Sequence, residues 1–87
     1  MKISYSTRFL REYRKLSISV KRSAEQKEII FRQDPFDSRL QTHKLKGGLA
    51  GFWSSSISKQ DRIIFEFIKK EVWFHSVGSH DIYKLWD

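Results

Sequence analysis

Residues 62–68 read RIIFEFI, and the reading of this stretch decides the fold. Strict alternation puts Ile63, Phe65 and Phe67 on one side of an extended chain and Arg62, Ile64 and Glu66 on the other. A period of two is the signature of a strand with one buried face. Working outward, FWSSSIS at residues 52–58 alternates too, with Trp53, Ser55 and Ile57 sharing a face, and EVWFHSV at 71–77 is rich in strand formers. Only SKQD and the pair Lys69–Lys70 separate the three segments, so they pair as antiparallel hairpins.

Upstream the period changes. KISY, residues 2–5, begins as a short strand with Ile3 and Tyr5 on one side. Ser6 or Thr7 can cap a helix whose stripe is Phe9, Leu10, Tyr13 and Leu16. Ser17 or Ser19 then caps a second helix, with Val20, Ala24, Lys27 and Phe31, and Ile30 beside them, as a weaker stripe. Asp34-Pro35 ends it, because the residue before proline avoids the helical region. FDSRLQTHKLKGG reads as a polar connection, and GSHDIYKLWD turns at Gly78 and continues as a strand end or short terminal segment. The order is therefore one strand, a two-helix hairpin and three antiparallel strands. This is an α+β arrangement, with both helices on one face of a small sheet and the other face partly open.

The 87 residues fit one domain, 1–87, with a thin core. There is no cysteine, so a disulfide framework and a thiolate metal site are excluded, as in a reducing compartment. No apolar run spans a bilayer, and MKISYSTRF lacks a signal-peptide core, so the expected location is the cytoplasm, with no membrane partner. The net charge is +7 and uneven. Residues 1–34 hold nine Lys/Arg against four Asp/Glu, and residues 35–60 hold four against one. Such a surplus attracts polyanions, nucleic acid foremost.

His43, His75 and His80 have no metal-ligand spacing, and no nucleophile elbow or nucleotide fingerprint occurs, so neither metal nor cofactor is expected. His43 lies in the basic loop, Arg62 opens a strand on its uncovered side, and His80 follows the last strand beside Tyr83. Two imidazoles and a guanidinium suit metal-free RNA cleavage. One imidazole takes the 2′-hydroxyl proton, the other protonates the departing 5′-oxygen, and cations hold the phosphate. Phe52 and Trp73, opposite in parity to their buried neighbours, are the stacking candidates. Each residue also has a plain reading. His43 is a loop histidine, His75 a structural one and His80 a turn cap; Arg62 pairs with Glu66, and Lys44 and Lys46 are solvated.

HKLKGGLAGFWSSSISKQDRIIFEF followed by VGSHDIY resembles the RelE/ParE superfamily of toxins from type II toxin–antitoxin systems, in its RelE, YoeB and YafQ branch. The resemblance covers residues 43–83, about half the chain. It implies two helices on a four-stranded sheet and a ribosome-dependent mRNA endoribonuclease acting without metal. It implies His43 as general base, Arg62 as phosphate ligand, His80 as general acid, Tyr83 as a positioning aromatic, and Lys44 and Lys46 as a basic loop. An acidic antitoxin would cover the basic face, and operator DNA would be bound only by the toxin–antitoxin complex. The alternatives are a ParE-like inhibitor of DNA gyrase, which cleaves nothing, and a non-toxic RNA-binding or ribosome-associated module. Paired histidines favour the nuclease.

Overall fold

A computed structural model describes residues 1–86. Strand β1 (Lys2–Tyr5) leads through Ser6 into α1 (Thr7–Arg14), and α2 (Ile18–Gln33) follows after three residues. Both helices start where a serine hydroxyl satisfies an orphan backbone N–H. Ser6 accepts from Phe9 N at 2.9 Å and Ser17 from Val20 N at 3.2 Å. α2 stops at Asp34, whose extended backbone precedes Pro35.

The remaining strands are β2 (His43–Lys44), β3 (Trp53–Ser56), β4 (Asp61–Ile68) and β5 (Glu71–Ser79), and α3 (Ile82–Trp86) closes the chain. The sheet order is β1-β5-β4-β3-β2. β1 runs parallel to β5, and every other pair is antiparallel. The sheet thus has five strands, not four. β2 is two residues long, too short for alternation to reveal, and it forms because His43 and Lys44 find Ser54 and Trp53 opposite them.

Ile63 and Phe65 turn toward α1 and α2, as their parity requires, and join Phe9, Phe31, Val72 and Phe74 in one apolar cluster. Phe31 meets Phe65 and Phe74 edge-on at 5.1 and 5.4 Å. Fully burying each such ring contributes roughly 1.5–3 kcal/mol. The stripe expected of α1 is narrower than its sequence suggests. Leu10 is 48% exposed, because one helical position beyond buried Phe9 rotates it off the sheet.

A bulge between Ile64 and Phe65 shifts the register, so that Ile64 pairs with Ser76 and Phe65 with Phe74. It keeps Phe74 and Val77 both on the helix side although three positions separate them. The C-terminal end also differs from expectation. Gly78 belongs to β5, the chain turns after Ser79, and α3 folds back. Gly78 has to be a glycine for this, since a Cβ there would sit 2.7 Å from Ile82 Cγ2. Gly78 pairs with Arg62, so α3 covers part of the face away from α1 and α2. No helix of the described residues is long and apolar enough to cross a membrane.

Candidate active face

The side of the sheet away from α1 and α2 carries a row made by pairing alone: His43 on β2, Ser54 on β3 and Ile64 on β4. Side chains of directly paired residues stand side by side on one face. His43 is exposed, and its Nδ1 lies 2.9 Å from the Gln41 carbonyl oxygen. A carbonyl only accepts, so Nδ1 carries the proton and donates. Nε2 is then the nitrogen free to take a proton from elsewhere. Gln41 holds this geometry in a left-handed turn, with φ 51°.

Ser54 is fully buried, and its Oγ lies 2.6 Å from the Tyr83 hydroxyl. That bond ties α3 to the sheet beside His43. The His80 ring meets Tyr83 edge-on at 5.9 Å. His43 and Tyr83 therefore meet at one buried serine, and His80 lies against Tyr83, although 37 positions separate the two histidines.

Arg62 shares this face by register, paired with Ser56 and Gly78. Its guanidinium turns toward the β3–β4 connection, where Nη1 donates to the carbonyls of Ser58 at 2.7 Å and Asp61 at 2.9 Å. It does not pair with Glu66. Glu66 Oε1 instead accepts from His75 Nε2 at 2.9 Å, because the bulge turns His75 toward that neighbour. His75 also meets Phe52 edge-on at 5.4 Å and Trp73 face to face at 6.4 Å. The two stacking candidates thus flank one imidazole and are half-buried on the face away from α1 and α2.

In the basic loop, Lys44 Nζ sits 5.5 Å from the Trp53 ring centroid, and Lys46 is exposed. Among the described residues, no three His, Cys, Asp or Glu side chains form a metal-binding group. Ser54 and the Glu66–His75 pair were not legible as parts of the site. Nothing local in SSS distinguishes the serine that pairs with His43, and the bulge that couples Glu66 to His75 has no sequence mark.

This architecture has counterparts among solved structures. A YoeB/ParE toxin from Agrobacterium tumefaciens superposes with a TM-score of 0.76 at 18% identity, over 92% of this chain and 99% of that one. The toxin–antitoxin complex RelBE2 from Mycobacterium tuberculosis gives 0.75 at 17%, over 91% and 96%. The fold is that of the RelE/ParE toxins. YafQ from E. coli gives 0.74 at 16% identity, over 94% of this chain and 96% of that one. No protein-family profile matches the sequence, and no curated protein does. At such identities the RelE/ParE likeness is one of backbone architecture, so the chemistry has to be argued from the side chains.

Proposed function

We propose that this chain is the toxin of a type II toxin–antitoxin pair and cuts mRNA on the ribosome by metal-free attack of a ribose 2′-hydroxyl. The observation that supports the reading is the chain of contacts from His43 to Ser54, Ser54 to Tyr83 and Tyr83 to His80 on the sheet face that α1 and α2 leave free.

His43 Nε2 takes the 2′-hydroxyl proton, since Nδ1–H is committed to Gln41. The 2′-oxygen bonds to phosphorus as the bond to the 5′-oxygen breaks. His80 supplies the proton that leaves with the 5′-hydroxyl, and a 2′,3′-cyclic phosphate remains. Tyr83 positions the substrate. Arg62, with Lys44 and Lys46, offsets the charge that builds on the phosphate. Phe52 and Trp73 offer ring surface to bases beside the cut.

A formal charge of +7 suits both an RNA substrate and an acidic antitoxin. RelBE2 and the E. coli DinJ–YafQ pair, which share the fold, are solved as toxin–antitoxin complexes. In this reading operator DNA is bound only with the antitoxin present.

The test is induction in cells with mapping of mRNA ends. Codon-phased cuts are expected, reduced about 10²- to 10⁴-fold in His43→Ala and His80→Ala. Intact mRNA with supercoiling-defective DNA would replace this reading with gyrase inhibition. Cleavage at the parent rate by Arg62→Ala would remove Arg62 from the mechanism.

A further inference from the structure

A second feature lies beside the histidine face. Where α2 meets the β3–β4 connection there is an open hollow of about 420 Å³. Lys27, Arg39, Lys59 and Arg62 line it with Gln41 and Ser56, and no carboxylate does. Ser23 Oγ donates to the Ile57 carbonyl and pins α2 to the sheet at this point.

Lys27 is the telling residue. It falls between Ala24 and Phe31 on the inward side of α2, where an apolar side chain is expected. It is half-buried and faces the hollow. Arg39 is neutralised by Asp37 through two hydrogen bonds of 2.9 Å. Arg62 is held by carbonyls, which orient its charge without cancelling it. Asp61, in the same connection, is engaged by the Ser58 hydroxyl at 2.7 Å. Among the described residues neither Lys27 nor Lys59 has an ion pair. Lys27, Lys59 and Arg62 thus set three cations against one nearby carboxylate, Asp61, around one concave site, a field that favours an anion.

We propose that this hollow binds a backbone phosphate of the RNA strand, at a point separate from the scissile group. The proposal rests on the RNA-cleaving reading for its ligand and adds Lys27 and Lys59 as positioning residues. Continuity favours RNA: the hollow reaches Gln41, whose carbonyl holds the His43 ring, so a strand crossing the histidine face runs on into it. Arg62, anchored through Nη1 at the edge of the hollow, keeps its place at the scissile phosphate, which leaves Lys27 and Lys59 for the second one.

The test is equilibrium binding of a 2′-O-methyl RNA decamer, which cannot be cut, followed by fluorescence anisotropy as salt is raised. Each phosphate contact to a single strand adds about 0.7 to the slope of log K against log salt. Lys27→Gln/Lys59→Gln should flatten the slope by about 0.7, one phosphate's worth. Lys69→Gln/Lys70→Gln removes the same charge from the exposed β4–β5 turn and should flatten it far less. Lys27→Arg should keep the parent slope, and melting curves check that each variant is folded.

Equal flattening by the two double variants overturns the proposal, as does a parent that fails to bind the decamer. A poly-glutamate peptide of equal length that binds more tightly, with the same dependence on Lys27 and Lys59, overturns it in favour of an acidic protein partner. Hollow-dependent binding by a parent that never cleaves mRNA would end the nuclease reading and leave the phosphate site standing.

Discussion

Glu12 should be worth more to stability than any other carboxylate in the chain. It lies on α1 beside the stretch of β5 that β1 no longer covers, since β1 pairs with β5 only as far as Phe74. There its Oε1 accepts from Ser76 Oγ at 2.7 Å and from Val77 N at 3.2 Å, and Oε2 takes Arg8 Nε at 3.5 Å. Ser76 is fully buried and the Glu12 side chain is 18% exposed. Glu12→Ala removes two charge-assisted hydrogen bonds and the looser ion pair with Arg8, and strands a buried hydroxyl and a strand N–H. Hydrogen bonds to a charged group contribute about 1.5–3 kcal/mol, and a stranded group costs about 1–3 kcal/mol, with overlap between the two effects. We expect a loss of about 3 kcal/mol. At 0.05–0.15 kcal/mol per residue the whole domain holds only about 4–13 kcal/mol. The corresponding fall in Tm is roughly 15 °C. Glu12→Gln keeps one acceptor and should lose about 1 kcal/mol. Glu25→Gln, on an exposed part of α2, should stay within about 0.5 kcal/mol. Urea and thermal unfolding followed by circular dichroism measure all three. Combining Glu12→Ala with Ser76→Ala should show a coupling of about 1–2 kcal/mol. A Glu12→Ala protein within about 0.5 kcal/mol of the parent would refute the account of how α1 is held to the sheet.

Gly78→Ala forces Ile82 away, and α3 with it, so mRNA cleavage should fall at least about tenfold while the main cluster still melts cooperatively; parental cleavage would show that α3 need not sit where Ser54 holds it. Lys69 opens the two-residue β4–β5 turn at φ 56°, so Lys69→Gly should raise stability by about 0.5–1 kcal/mol in the same unfolding assay. Asp37 is held down to about 2, first by the Arg39 side-chain hydrogen bond and then by the Arg39 backbone N–H. A depressed carboxyl favours the fold above the unfolded value near 3.8, and that benefit is lost as pH falls toward 2. NMR titration should place the Asp37 midpoint near 2 in the parent and nearer the ordinary carboxyl value in Arg39→Gln.

Short-range signals carried much of the architecture. The alternation of Ile63, Phe65 and Phe67, the caps at Ser6 and Ser17 and the stop at Pro35 each lie within a few residues, and each appears in the fold as the sequence implies. The fifth strand, the bulge at His75 and the outward turn of Leu10 were beyond such signals. The candidate site divides in the same way. The residue types were readable, because imidazole and guanidinium chemistry is a property of the side chain.

The arrangement of those side chains was not. Ser54 faces His43 because β2 pairs with β3. Tyr83 reaches Ser54 because Gly78 lets α3 close against the sheet, and Arg62 turns to the carbonyls of its own hairpin. The chain's order of residues set its periods, its caps and its surplus of positive charge, since these depend on neighbours in the sequence. Which distant segments lie side by side was decided only when the whole sheet buried its apolar face. That burial also assembled the basic hollow, in which Lys27 of α2 meets Lys59 and Arg62 more than thirty positions away.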